Sequence, residues 1–490
     1  MARCSTTAPS VLPVALLLAA LGTSNPSALG AQLIAIRTVP VASGDQFLTI
    51  PSAIFGMGGI RIAVDDSIAD GWSNPAKGVL VGQSSILGAP TFYGISNDGG
   101  GGKTFPLTGL LRGRQWFGGV SLALQQITNN PPDRWGWTPG RRLSEGSARN
   151  LYGSGYLGRE LGETGWSVGV AASTARLEAM DGVDLLYAGA ERIEQYGSVT
   201  DLRAGLYRTG DRDRIGFTLI HNRVSMTHEV DYVDFVEDSI TDMSFTRRRL
   251  EMNEDRTRTW GGHLEWNREL QAPGWRVGAT LTTNYKSHPK IPNYEIQNIP
   301  RDPGTTWAYE AGVGVSRRRG PTMFGIDVAV QPIWSHTWQE ADRPLDVADG
   351  TLGIGDKTIE NHFVFSNVVL RTGVSHRFDR FGMQFGVGVR SYDYRLDQDN
   401  HVEGTARRQD ESWMEWTPSL ALTFGLTDIE IQYNTRRTVG TGRPWTGGGF
   451  RSDLAATASE ADFIAAPSGP LSLQDAAVAT HQVWIRVPIR

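Results

Sequence analysis

Residues 275–285 read W-R-V-G-A-T-L-T-T-N-Y. Trp275, Val277, Ala279, Leu281 and Tyr285 fall on one face of an extended chain. Arg276, Gly278, Thr280, Thr282 and Asn284 fall on the other. Successive side chains of a strand point to opposite faces, so this strand has one apolar side and one polar side. An aromatic at each end and a length of about eleven residues suit a strand that crosses a bilayer at a tilt.

The pattern recurs more than a dozen times along the chain. Trp166, Val168, Val170 and Ala172 alternate with Ser167, Gly169, Ala171 and Ser173. Trp260, Gly262, Leu264 and Trp266 alternate with Gly261, His263, Glu265 and Asn267. Trp307, Tyr309, Ala311, Val313 and Val315 alternate with Ala308, Glu310, Gly312, Gly314 and Ser316. Phe381, Met383, Phe385, Val387 and Val389 alternate with Gly382, Gln384, Gly386, Gly388 and Arg390. In lipid every backbone N–H and C=O must be paired internally, so such strands span only as a closed barrel. The apolar rows then face lipid, and the rows of Gly, Ser, Thr, Gln and charge face the lumen.

The spacers agree. Short ones fall at 112–115, 162–165, 209–214, 271–274, 317–321, 378–380 and 426–428. Long ones fall at about 129–150, 178–194, 225–258, 286–305, 340–360, 397–411 and 436–477, and each is followed by a short one. Short periplasmic turns and long external loops are the topology of bacterial outer-membrane barrels. A soluble sandwich has turns at similar spacing but no reason to alternate them. The sequence therefore predicts an all-β transmembrane antiparallel up-and-down β-barrel of about 14–16 strands, with both termini in the periplasm. The segments 79–93 and 104–111 are the weakest strands and are candidates for excursions into the lumen.

The first thirty residues carry one charge, Arg3, and an apolar core at 11–21 that is too short to span. Ala28-Leu29-Gly30, with small residues at its first and third positions, predicts a signal peptide over 1–30, with Cys4 leaving in it. Without Arg3 the 47 basic residues fall to 46 against 52 acidic, a net of −6 that gives no electrostatic case for nucleic acid. No disulfide or thiol chemistry is expected. Glycine stands at 58 residues, where ordinary usage would give about 34. Many of these glycines lie on lumen-facing rows and leave room for something inside.

Between signal and barrel, Gly56-Met57-Gly58-Gly59-Ile60-Arg61-Ile62-Ala63-Val64-Asp65-Asp66 leads to Trp72-Ser73-Asn74-Pro75-Ala76-Lys77-Gly78. This run resembles the motif that precedes the first strand in the FadL-like outer-membrane proteins. That superfamily comprises long-chain fatty-acid and hydrocarbon transporters together with a secretion-associated, PorV-like branch. Gly56, Gly58, Gly59, Ala63, Asp65, Asp66, Asn74, Pro75, Ala76 and Gly78 match the pattern. Ile60 and Ser67 replace usual alanines, and Lys77 stands between Ala76 and Gly78. The resemblance implies a plug over 31–78 lying inside a barrel over 79–490. A chain end at Arg490, after the alternating Val483, Ile485, Val487 and Ile489, departs from the terminal aromatic usual in this class.

The motif also reads physically. Its glycines permit positive φ and close backbone approach, and Asn74-Pro75 initiates a turn. Asp65 and Asp66 are expected to cap a short helix over 67–72, or to pair with a lumenal arginine such as Arg390 or Arg276. Structural roles are thus assigned to Gly56, Gly58, Gly59, Asp65, Asp66, Asn74, Pro75 and Ala76. Phe55, Met57, Ile60, Ile62 and Trp72 of the plug, with Trp135 and Trp137 of an external loop, are candidates to contact a hydrophobic ligand.

No enzyme is indicated. The glycine run 99–102 before Lys103-Thr104 lacks the first glycine of a phosphate loop, whose place is taken by Asn97, and no helix follows. There is no H-E-x-x-H and no C-x-x-C, and no histidine is followed two positions later by serine. Asp211-Arg212-Asp213 and the acidic stretch 229–242 lack the spacing of a calcium loop. No catalytic residue, metal site or cofactor is expected. Trp116, Trp166, Trp275, Trp307, Trp334 and Trp416 read as strand-end interfacial residues. Trp135, Trp137 and Trp445 read as loop residues. The spacer 436–477, with Leu454, Phe463 and Ile464, is expected to form a lid over the mouth.

The function expected is passive uptake of hydrophobic small molecules, fatty acids or hydrocarbons, across the bacterial outer membrane. The partners are then outer-membrane lipid, lipopolysaccharide and the ligand itself. The alternative is a secretion-associated or structural barrel with no transport activity.

Overall fold

The computed structural model describes residues 34, 36–38, 40–97, 99–128, 147–181, 190–238, 243–288, 303–341, 343–347, 350–444 and 473–489. Sixteen antiparallel strands close on themselves. The first, β1, comes in two pieces, Ser85–Gly88 and Thr91–Ile95. It lies between β2 (Gly101–Arg112) and the last strand, β16 (Leu473–Pro488), and so shuts the barrel. The strands between follow in chain order. They are β3 (Trp116–Thr128), β4 (Ser147–Glu160), β5 (Trp166–Leu177), β6 (Ala190–Thr209) and β7 (Asp213–Asp238). Next is β8, again in two pieces (Met243–Asp255 and Arg258–Glu269), then β9 (Trp275–His288), β10 (Gly304–Arg319) and β11 (Thr322–Glu340). The circuit ends with β12 (Lys357–Arg377), β13 (Phe381–Asn400), β14 (Thr405–Gly425) and β15 (Glu430–Pro444). Closure pairs the strands on both sides within the spanning belt, as lipid requires.

The two faces separate as the alternation predicts. Leu281 and Val313 are 52% and 62% exposed on the outside, while their neighbours Thr282 and Glu310 are buried inside. From Trp275 to Tyr285 the chain advances about 33 Å along the strand. At a tilt of about 40° this spans about 25 Å, the height of an outer-membrane apolar band.

Aromatics mark both rims of the band. Trp260, Tyr285, Trp307 and Trp334 are successive register partners across β8 to β11. At the short-turn end Trp116, Trp166 and Trp275 each open a strand. An arginine of the next strand stacks on each ring, Arg159 at 5.3 Å, Arg208 at 5.6 Å and Arg317 at 5.0 Å. Trp307, Trp334 and Trp416 are not at strand ends, because their strands continue outward past them.

That continuation is the main difference from the sequence reading. The expected spacer 225–258 is largely a projecting hairpin, with β7 running to Asp238 and Met243 starting its return. Likewise β13 and β14 meet at a tight turn after Asn400. Above the bilayer no lipid imposes an apolar face, so polar strands there read as loops. Both weak segments are barrel strands, β1 broken at Ala89-Pro90 and β2 continuous. Pro332 interrupts one ladder: pairing of β10 with β11 lapses between Ala308/Ile333 and Ala311/Val330. Pro lacks the N–H that the ladder needs.

Candidate functional site: the plugged lumen

The N-terminal segment runs along the inner wall rather than across the mouth. Residues 34–47 pass from β10 to β13 at Ile34 and Ile36 to β14 at Arg37 and to β15 at Val41. They then reach β3 and β4 at Gln46. After Ile50 the chain reverses and follows the wall back. It touches β15 at Ser52, β14 at Gly56, β12 and β13 at Met57 and Gly58, β10 and β11 at Ile60 to Ala63, and β9 at Asp65. It ends in a helical turn, Asp70–Ser73, and a 3-10 helix, Pro75–Leu80, seated against β3 to β6.

Small residues on the wall make the seat. Ser316, Gly325, Gly373, Gly386 and Ser419 are successive register partners across β10 to β14. The stretch 56–63 lies against this band. A Cβ on Gly373 would meet the Met57 carbonyl oxygen at 2.4 Å, and one on Gly325 would meet the Ile60 side chain at 2.6 Å. Ile62 sits over Gly312 and Gly314. Gly58 and Gly59 adopt φ of +67° and +78°, which bend the segment onto the wall at a cost of about 1–2 kcal/mol for any other residue. Ser419 closes the contact, accepting from Gly58 N at 2.9 Å and donating to Gly56 O at 3.1 Å.

Charge pairs fasten the segment at five places, each with one partner on the wall. Arg37 bonds Glu415 and Asp45 bonds Arg436. Arg61 meets Glu310 at 2.6 Å, while Asp327 accepts from the backbone N–H of Arg61 and Ile62 at 2.6 and 3.0 Å. Asp65 is held between Arg214 at 2.5 Å and Arg276 at 2.7 Å. Lys77 Nζ lies 3.0 Å from Glu265 and 2.9 Å from Asp70 within the plug. Arg276 was an expected partner of the aspartates. Arg390 is not one of them and turns instead to the Tyr392 hydroxyl.

The helix starts at Asp70 rather than 67, with Ala69 at its N-cap and no side-chain cap, and Asp66 instead closes the turn that leads into it. Asp66 accepts from the N–H of Ile68 and Ala69 at 3.0 and 3.1 Å, and from the Ser52 hydroxyl at 2.5 Å. Asn74 Oδ1 accepts from Ala76 N at 3.1 Å, and Pro75 occupies the first position of the 3-10 helix, where no N–H is missed. Gly205 and Gly169 leave the space for this Asn-Pro-Ala turn, and Ser167 donates to Ala76 O at 3.0 Å.

Burial decides the electrostatics of the plug. Burial pushes the Asp70 carboxyl up to about 7 against the pull of Lys77, with Asp65, Asp66 and Glu265 adding to the rise. Burial opposes the charge on Lys77, yet Asp70, Glu265 and Asp65 hold it well above the ordinary lysine value. Burial also works against ionisation of Asp65, but Lys77, Arg276 and Arg214 keep its carboxyl below the usual range.

The residues expected to contact a ligand are placed as follows. Met57, Ile60 and Val64 form one buried cluster. Ile62 fills its glycine recess, Phe55 lies 5.1 Å beneath the Arg436 guanidinium, and Trp72 packs edge-on to Tyr156 at 4.8 Å. Trp135 and Trp137, at 129–146, lie outside the described residues, as do residues 445–472 of the lid expected over 436–477; the ends of that range are not lid but strand, 436–444 in β15 and 473–477 in β16.

A second feature was not anticipated. Phe365, Tyr394, Leu396, Ile333 and Ala308, flanked by Phe363 and Trp413, form an apolar and aromatic patch on the inner wall of β10 to β14. Ile34 and Ile36 cover it. The signal was present: large apolar and aromatic residues at lumen parity, on strands where many of the other inward positions are glycine or polar.

No protein-family profile and no curated protein sequence matches the chain. Among solved structures it is similar to a Pseudomonas aeruginosa FadL homologue, at 10% identity and a TM-score of 0.44, over 92% of this chain and 100% of that one. The CymD monoaromatic hydrocarbon channel is similar at 10% identity and a TM-score of 0.40, over 89% and 96%. CdiB from Acinetobacter baumannii is similar at 8% identity and a TM-score of 0.40, over 82% and 60%. In this chain a segment bearing Gly-x-Gly-Gly, paired aspartates and Asn-Pro-Ala lies against the inner wall of a sixteen-stranded antiparallel barrel.

Proposed function

We propose that the protein is an outer-membrane channel for passive uptake of hydrophobic small molecules, fatty acids or hydrocarbons, closed at rest by its own N-terminal segment. The observation that carries this reading is the aromatic patch around Phe365 and Tyr394 inside the barrel. Water-filled pores have polar interiors, so an apolar wall there is costly unless something greasy covers it. In the resting state Ile34 and Ile36 are that cover. A captured ligand would take their place, and release of residues 55–72 from the glycine band would open the route toward the short-turn, periplasmic end. Phe55, Met57, Ile60, Ile62 and Trp72 would then line that route. No energy source is needed, because the solute runs down its own gradient. A secretion-associated or structural barrel would account equally for the charge fastening, and would use the aromatic wall only as a fixed seat for Ile34 and Ile36 that binds no fatty acid.

Binding of a fluorescent fatty acid to the detergent-solubilised barrel tests the proposal, together with mass spectrometry of co-purifying lipid. The expected result is saturable binding that Phe365→Asp removes while the folded barrel persists. Protein that carries no lipid and binds no fatty acid overturns it.

A further inference from the structure

Three of the nine histidines of this chain, distant in sequence, converge on one carboxylate at the outer rim. His336 on β11 and His362 on β12 are direct register partners, and their rings stack at 4.3 Å with 9° between planes. Glu360 lies one outward-facing position further along β12. His336 Nε2 is 2.5 Å from Glu360 Oε1, and His362 Nε2 is 3.7 Å from the same oxygen. His401, in the turn after β13, brings its Nε2 to 3.6 Å from Glu360 Oε2. His336, Glu360 and His362 each offer a ligand atom within 4.8 Å of the others. The cluster is open to solvent, with His362 and His401 about half exposed. It sits on the outward face of the barrel, two residues beyond Trp334 of the outer aromatic row, and so above the bilayer.

We propose that His336, Glu360, His362 and His401 form a site for a first-row divalent transition-metal ion of the zinc type. Three imidazoles and one carboxylate suit Zn²⁺ and its neighbours and not Mg²⁺ or Ca²⁺, which take all-oxygen shells. Metal–nitrogen bonds of about 2.0–2.1 Å in a tetrahedral site put ligand atoms about 3.3 Å apart. The separations of 3.6 and 3.7 Å are already near that value. The 2.5 Å contact of His336 with Glu360, a hydrogen bond, must open to admit the ion, and His401, which stands outside the three-residue group, must swing in from the turn to complete the shell. Lys357, whose Nζ is 2.5 Å from Glu360 Oε1, holds a positive charge at that oxygen and opposes loading. A bound ion would tie together β11, β12 and the turn joining β13 to β14. The sequence reading expected no metal, because the ligands do not fall in a local motif.

The test uses the full mature barrel in detergent with no polyhistidine tag, titrated with Zn²⁺ by calorimetry and with Co²⁺ by visible absorption. The expected result is one equivalent per chain and a Co²⁺ spectrum typical of a four-coordinate nitrogen and oxygen site. Glu360→Gln and the double variant His336→Ala/His362→Ala should each weaken binding at least about tenfold. Lys357→Gln should tighten it severalfold, an outcome that a purely structural ion-pair network would not give. Heat-modifiable mobility on a gel shows that each variant folds. Absence of stoichiometric Zn²⁺ binding by the wild-type barrel overturns the proposal, as does binding that the double variant leaves unchanged.

Discussion

Gly373 on β12 and Gly386 on β13 stand opposite each other in register, and the Met57–Gly58 backbone of the plug lies in the recess they leave. Two chain segments thus approach at backbone distance, which a side chain on either strand would prevent. The wall of the barrel and the course of the plug were built for each other at this point.

Filling the recess should unseat the plug without unfolding the barrel. A Cβ on Gly386 would fall 2.1 Å from Gly58 N, and the neighbouring atoms are backbone that cannot step aside. Gly386→Leu is therefore expected to keep a heat-resistant barrel while making residues 50–70 protease-sensitive and raising single-channel conductance several-fold. Gly153→Ala, whose added methyl would find its nearest atom at 3.7 Å, serves as the neutral comparison. A Gly386→Leu barrel as silent and as protected as wild type would show that the plug does not rest there.

Asp65 has two guanidinium partners, so losses at Arg214 and Arg276 should not add. Arg276→Ala alone is expected to weaken plug docking by less than about 1 kcal/mol, since Arg214 remains at 2.5 Å. Removing both leaves a largely buried carboxylate with no guanidinium partner, and only the charge of Lys77 to favour it, and should cost about 2–3 kcal/mol. Adding Asp65→Asn should recover part of that loss. Amide exchange in residues 56–66 reads all three effects, and equal cost from either single variant and the double would refute the shared clamp.

Docking of the plug should depend on pH through Asp70. Its carboxyl is shifted from 3.8 to about 7, so the docked state binds a proton that the released segment does not. That contribution is complete below about 4 and is lost as pH rises through 7. Asp65, held below its ordinary value, works in the other direction and withdraws its support only in stronger acid. Protease protection of the plug should therefore fall between pH 5 and pH 8 in the wild type. Asp70→Asn, which keeps an acceptor for Asp66 N, should flatten that slope. An unchanged slope in the variant would remove Asp70 from the account.

The apolar band itself is open to a direct test. Val313 lies midway along the membrane stretch of β10 and is exposed on the outer face. Val313→Arg should cost about 2–4 kcal/mol of folding free energy in lipid vesicles. The same arginine in place of Thr305, near the outer end of β10, should cost about 1 kcal/mol or less. Similar costs at both positions would argue against a bilayer around this belt.

What the sequence determined by itself is the barrel. Alternation with a period of two records a strand with lipid on one side, and the rhythm of spacers records which ends are turns. Because lipid imposes an apolar face residue by residue, local pattern was enough to find the spanning part of nearly every strand, while Gly-x-Gly-Gly and Asn-Pro-Ala fall on the segment that packs against the inner wall. Where lipid stops, the pattern stops, and the outward extensions of β7, β8, β13 and β14 were read as loops. The partners of the plug belonged to tertiary structure alone. Arg61 and Glu310, or Asp45 and Arg436, meet only because the chain runs around the inside wall, a path no periodicity encodes. The same holds for His336, Glu360, His362 and His401. Each looks like an unremarkable polar residue in sequence, and it was strand register, fixed by lipid-facing rows far below them, that brought their ring nitrogens to a single carboxylate.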